Sequence, residues 1–165
     1  MLRVLTAFVL ISLLLPSCKK EMMSYEGMEG VYFAARSGPY YASPQTWPYR
    51  PYTNVQFVSQ PSSVTEVTIR IPIMITGPMK NYDRPFIVEV NPDSTTATEN
   101  VHYLPIGRTF IVPADSIFGY IPVTLKRTAD MLTENKKLGL RLVANEHFGW
   151  HSPNGKPFRA LAAAT

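Results

Sequence analysis

The sequence predicts an all-β chain folded as an antiparallel sandwich of about seven strands. Three observations carry that expectation. Branched residues fall in short alternating runs, most clearly at Val67, Ile69, Ile71, Ile73 and Ile75, and a period of two places such residues on one face of a strand. Fifteen prolines stand against a charged fraction of 17%, a balance that favours strands and punctuated loops over helices. Helical spacing is confined to residues 129–135, enough for a turn or two.

The first residues read as a targeting segment. Arg3 precedes an apolar run over residues 4–15, interrupted by Thr6 and Ser12, and Leu15-Pro16-Ser17-Cys18 follows. That is a secretory signal over residues 1–17 with cysteine at the first mature position, where a thioether to diacylglycerol forms. Cys18, the sole cysteine, is therefore the expected lipidation site. The apolar run is short of the ~20 residues a spanning helix needs, whereas two fatty chains anchor a protein stably. With Cys18 acylated no thiol remains for a disulfide. Residues 18–30 are a polar tether.

The sandwich domain is expected over residues 31–150, a length that suits one core. A first apolar run covers residues 31–35. Residues 37–53 form a Pro/aromatic segment without periodicity, and residues 54–59 resume the strand pattern before a turn at Pro61-Ser62-Ser63. The isoleucine strand, residues 66–76, contains Pro72, which lacks an amide donor and so predicts a sheet edge or a bulge. Phe86, Val88 and Val90 alternate next, then residues 109–112 stop at Pro113. Ile121, Val123 and Leu125 form the sixth run, and Leu138, Leu140 and Leu142 the seventh. Residues 151–165 read as an irregular C-terminal tail. Seven short strands with frequent turns indicate the immunoglobulin-like type of sandwich, with a partly open barrel as the alternative. There is no internal repeat.

The net charge is +4 and the pI about 9.2, but the arginines are scattered along the chain, which argues against a nucleic-acid groove. Tyr41, Trp47, Tyr49 and Tyr52, with Tyr40, are candidate ligand contacts, since aromatic rings pack against the C–H faces of sugars and Tyr and Trp add a polar handle. The competing reading is that these rings cover one open end of the sandwich. His147 and His151 are four apart, but Gly149 and Pro153 make this a loop, so no metal site is expected. Asp83, Asp93, Glu99, Asp115 and Asp130 stand singly rather than clustered for calcium. Asp93 and Asp130 read as turn and cap residues. No nucleophile elbow, phosphate loop or zinc-protease motif is present, so no catalytic residue, metal or cofactor is assigned.

Several stretches, in their order and spacing, resemble a Bacteroidetes lipoprotein family catalogued as domain of unknown function 4843. They are Tyr25-Glu26-Gly27, Gly30-Val31-Tyr32-Phe33, the isoleucine strand ending at Gly77, and Tyr82-Asp83-Arg84-Pro85. His102-Tyr103, Phe110-Ile111-Val112-Pro113-Ala114 and Leu125-Lys126-Arg127-Thr128 complete the set. The middle part is similar to a Calx-beta or immunoglobulin-like unit. The resemblance implies a surface accessory to SusC/SusD-type glycan-uptake proteins, with polysaccharide or those proteins as partners and no catalytic residues to carry over. Members extend further, so the resemblance implies a C-terminal portion that is truncated or divergent here. Lys19-Lys20-Glu21 is similar to the signal that directs such lipoproteins to the outer face of the outer membrane. The expectation is thus a non-catalytic, lipid-anchored binding module. A structural spacer without a ligand is the alternative, and a glycan hydrolase the third reading.

Overall fold

The computed structural model describes residues 27–34, 48, 50, 52–150 and 158–163. Cys18, Tyr41, Trp47 and Tyr49, and with them the signal segment, lie outside the described residues. The seven expected strands are present as β1 (Gly30–Phe33), β2 (Tyr52–Gln56), β3 (Glu66–Ile75), β4 (Arg84–Val90), β5 (Thr109–Val112), β6 (Phe118–Lys126) and β7 (Lys136–Val143). Two more follow, β8 (Gly149–Trp150) and β9 (Phe158–Ala163). The strands form a four-stranded sheet, β6-β3-β1-β8, and a five-stranded sheet, β2-β9-β7-β4-β5. Pairing is antiparallel except for β1 with β8 and β2 with β9. Among the described residues there is no α-helix. The helical spacing near residue 129 becomes a 3₁₀ turn, Ala129–Leu132, and among the described residues no helix is long and apolar enough to cross a membrane.

The tail expected to be irregular is corrected at β9, which lies between β2 and β7. Its sequence, Phe-Arg-Ala-Leu-Ala-Ala, has weak strand propensity. Two flanking ladders supply what propensity does not: residues 158–162 pair with Leu140–Lys136 and residues 159–163 with Tyr52–Gln56. The sandwich therefore reaches residue 163, not 150.

Alternation builds the core. Ile71, Ile73 and Ile75 of β3 face Phe86 and Val88 of β4, Ile121, Val123 and Leu125 of β6, and Leu138 and Leu140 of β7, all buried. Val67 and Ile69 are partly buried against this cluster. Burying an aliphatic side chain of this size stabilises by about 1.5–3 kcal/mol. Gly119 occupies an inward position of β6, where a Cβ would meet Ile73 and Phe86 within 2.9 and 3.1 Å. Gly139 is required more strictly: a Cβ there would fall on the Ser94 side chain and lie 3.2 Å from its carbonyl.

Pro72 does not mark a sheet edge, because β3 lies between β6 and β1. Instead the neighbouring strand ends beside it. Its carbonyl accepts from Ala34, one residue beyond β1, so in the antiparallel alternation its missing donor faces the β1 side just outside the ladder. Pro85 repeats the device. It precedes the β4–β7 pairing, and its carbonyl accepts from the Asn145 amide (2.7 Å). Pro122 shares its outward-facing backbone side with Thr124 and Lys126, which bond to Leu104 and His102 rather than to β3.

A buried cation closes each end of the core. Arg84 stands in the inward register of Phe86 and Val88, with its side chain 1% exposed. Its guanidinium donates to Glu29 before β1 (3.3 Å), to the Pro78 carbonyl after β3 (3.5 Å) and to the Ser116 carbonyl before β6 (3.2 Å). It also lies 5.5 Å from the ring of buried Phe148, which precedes β8. At the other end Lys136, in register with Leu138 and Leu140, reaches Asp130 (3.1 Å) and Glu134 (2.8 Å).

Arg84→Ala should lower stability by about 2–3 kcal/mol, because the Pro78 and Ser116 carbonyls lose their donor inside the fold and Glu29 is left with Lys80; the urea midpoint measures it. Gly139→Ala should cost about 1–3 kcal/mol by overpacking against Ser94, read the same way, with Gly119→Ala the milder change because the Ile73 methyl end can give.

Candidate binding surface

The alternation that buries isoleucine on one side of the four-stranded sheet turns a different set of side chains outward. Tyr32 of β1, Met74 of β3 and Phe118 of β6 share one row across the sheet, and Pro72 and Tyr120 share the next. Rows on one face are about 6.8 Å apart along a strand, and neighbouring strands about 4.8 Å, so these groups form one contiguous apolar shelf. Phe118 is 42% and Tyr120 43% exposed. The Tyr32 hydroxyl points at the Met74 sulfur (3.8 Å), and burial raises its pKa above 10.0, keeping the phenol neutral. Arg70 lies in the following row, opposite Pro122, with its guanidinium carbon 4.3 Å from the centroid of the Tyr120 ring. Beyond it the Thr68 and Thr124 hydroxyls are hydrogen-bonded at 2.8 Å, and Glu66 faces Lys126 in the last row. An aromatic end thus grades into a hydroxyl-bearing, charged end on one face.

Of the five aromatic residues singled out from the sequence, Tyr52 falls within the described residues and Tyr40, Tyr41, Trp47 and Tyr49 outside them. It opens β2 and is 41% exposed. It stands on the outer side of the five-stranded sheet, across the sandwich from Tyr120, so the structure does not bring it to the shelf. Its own face carries an ion-pair group in which Glu89 accepts from Arg108 (2.9 Å) and Arg141 (2.7 Å). Sequence reasoning passed over Phe118 and Tyr120. The signal was present, because they occupy the even-numbered positions of β6, alternate to the inward Ile121, Val123 and Leu125.

A second polar cluster sits at the Lys136 end. His102 is buried; its Nδ1 accepts from the Thr98 amide (2.8 Å) and its Nε2 faces Asp130 Oδ2 (3.0 Å). Nδ1 can accept only when it carries no proton, so the neutral ring is the Nε2–H tautomer donating to Asp130. The Thr128 hydroxyl, His102 and Lys136 together hold the Asp130 carboxyl well below the usual carboxylate range. Glu134 and Asp130 raise the pKa of Lys136 above 10.5. Both ring nitrogens of His102 are engaged, which leaves no lone pair free to take a proton from a nucleophile. The group ties the 98–104 connection to the 3₁₀ turn and β7. It also corrects the capping role expected of Asp130, whose carboxylate turns to His102 and Lys136. Asn91 caps the Asp93 turn (3.1 Å). Asp83 accepts from the Ala114 amide (2.9 Å). Asn145, whose Oδ1 accepts from the His147 and Phe148 amides, shapes the loop that carries His147. Among the described residues no three His, Cys, Asp or Glu side chains converge to hold a metal.

A family model described as "Domain of unknown function (DUF4843)" matches residues 52–163. None of the curated proteins matches by sequence. Among solved structures, the chain is similar to CBD12 from CALX1.2 at 12% identity and TM-score 0.52, with 82% of this chain and 44% of that one covered. That likeness shows the sandwich fold. A protein of unknown function from Bacteroides ovatus matches at 16% identity and TM-score 0.45, covering 84% and 46%. A two-domain protein of unknown function from Bacteroides fragilis matches at 10% and 0.49, also covering 84% and 46%. The chain spans less than half the length of each of these structures.

Asp130 supplies a pH test. Its folded pKa lies below the ordinary 3.8, so its contribution is complete above that value and is lost as pH falls through the lowered one. Denaturant titrations should show stability declining as pH drops below about 4, and Asp130→Asn should reduce that decline. An unchanged slope in the variant would remove Asp130 from the linkage.

Proposed function

The chain belongs to the family described as domain of unknown function DUF4843, and from that membership we propose a non-catalytic binding module, lipid-anchored through Cys18 in the outer membrane, that acts as an accessory in surface glycan uptake. The observation that carries the reading is the aromatic shelf of Tyr32, Met74, Phe118 and Tyr120. Phe118 and Tyr120 stand on the outer side of a strand whose inward residues, Ile121, Val123 and Leu125, are buried, and exposed contiguous apolar surface marks interaction sites. Ring faces and nearby hydroxyls suit a saccharide, which presents both C–H faces and hydroxyl groups. A non-catalytic role is supported by the engaged, buried His102. The lipobox at Leu15-Pro16-Ser17-Cys18 supports the anchor, and the family resemblance supports polysaccharide or SusC/SusD-type proteins as partners.

The test is recovery of the tagged, lipidated protein from outer membranes, with bound glycans and proteins identified by mass spectrometry. Wild type should retain a polysaccharide or an uptake protein, and Phe118→Ser/Tyr120→Ser should lose it while keeping the wild-type circular dichroism spectrum. Equal retention by the double variant removes the shelf from the function; no retention by wild type favours a spacer. In the same preparation Cys18→Ala should move the protein from the membrane fraction to the soluble one.

A further inference from the structure

Arg70 is held differently from Arg84, Arg108, Arg127 and Arg141. Arg84 is held by Glu29, Arg108 and Arg141 by Glu89, and Arg127 by the carbonyls of Gln60 and Pro61. Arg70 lies over the Tyr120 ring at 4.3 Å, and among the described residues its guanidinium has neither an acidic partner nor a hydrogen-bond acceptor. Its position is set by a ring that consumes none of its N–H groups. A guanidinium held in this way is prepared for an incoming oxyanion: its planar fork matches the paired oxygens of a carboxylate or a sulfate, and the stacked ring reduces the side-chain freedom lost on binding.

We propose that the shelf binds a sugar chain carrying carboxylate or sulfate groups, and that Arg70 is the residue that selects the acidic sugar. The inference rests on the binding reading above and adds the class of ligand. The layout of the face supports it. On one side of Arg70 lie Tyr120, Phe118 and Met74, apolar ground for the C–H face of a pyranose. On the other side lie the exposed Thr68 and Thr124 hydroxyls, which can exchange their mutual hydrogen bond for bonds to sugar hydroxyls. The remaining charges of the face, Glu66 and Lys126, stand opposite one another in the last row, so the positive charge nearest the rings is that of Arg70. A neutral sugar would use the rings and hydroxyls and leave the guanidinium without a counter-charge; an acidic sugar uses all three.

The experiment is isothermal titration of the full chain and its variants against a panel of neutral dextran and mannan, polygalacturonate as the carboxylate arm, chondroitin sulfate as the sulfate arm, and polyglutamate as a peptide control. Wild type should bind at least one acidic glycan, more weakly as salt rises. Arg70→Gln should weaken that binding by about tenfold or more, since a charge-assisted pair is lost. Arg70→Lys should fall between the two, keeping the charge without the fork. Arg70 is solvent-exposed, so both variants should fold, and their circular dichroism and urea midpoints check this. The carboxylate and sulfate arms separate the two sources of negative charge. Binding of neutral glycans that Phe118→Ser/Tyr120→Ser abolishes and Arg70→Gln leaves unchanged would overturn acid selection while keeping the shelf. Polyglutamate binding as tightly as polygalacturonate would overturn the sugar assignment, and no binding across the panel would overturn acid selection, while the recovery from outer membranes decides the binding reading itself.

Discussion

The sandwich depends on a register that is terminated by charge. Arg84, Phe86 and Val88 point the same way along β4, as do Lys136, Leu138 and Leu140 along β7, so the inward face of each strand starts with a cation and continues with hydrocarbon. A slip of one residue would move every apolar side chain to the outer face, and here it would also strip Arg84 from Glu29 and Lys136 from Asp130. β4 and β7 run antiparallel, so the two cations fall at opposite ends of the core. Each binds chain segments that lie far apart in sequence: Arg84 joins the approach to β1, the turn after β3 and the turn before β6, and Lys136 joins the 3₁₀ turn and, through Asp130, the His102 connection. Isolated buried charges are expensive, and these are tolerated because carboxylates and carbonyls meet them.

Proline shapes the same sheets by subtraction. Pro72, Pro85 and Pro122 each lie inside a strand, a placement usually restricted to edges. Each turns its donor-less side to a position where the adjoining strand has ended or a connecting segment takes over. The ladders β3–β6 and β4–β5 therefore continue past them unbroken, while β1 and β7 stop short. With β1 ending beside Pro72, the proline joins Tyr120 in a row of the outer face and adds to its apolar ground.

Much of this architecture could be read from the chain. The seven runs of alternating residues became seven strands because a half-buried strand has to alternate. β9 escaped notice because an alanine-rich segment carries no such pattern; its conformation comes from neighbours distant in sequence. The shelf was half legible, since the outward phase of β6 follows from the inward one, yet the rings are densest in the sequence around Trp47 and not in the alternate positions of the clearest strands. The His102–Asp130–Lys136 group was not legible at all. Its members are joined by folding, and nothing local in His102-Tyr103 or Ala129-Asp130-Met131 announces that they meet. Arg84 offered a weak sign, a charged residue in phase with Phe86 and Val88, but sequence alone does not say which partners would make that burial tolerable.

The position of β9 bears on how the molecule is assembled in time. Among the described residues β2 pairs with β9 alone, and the two are separated by about a hundred residues, so this contact is among the most non-local in the fold and closes slowly. A chain emerging from its N-terminus forward makes β2 early and holds it unpaired through the synthesis of the next six strands. The four-stranded sheet can zip from β3 and β6 in the meantime. The second sheet, by contrast, is completed from its interior outward, and the final segment to arrive is the one that lets the earliest strand of that sheet join.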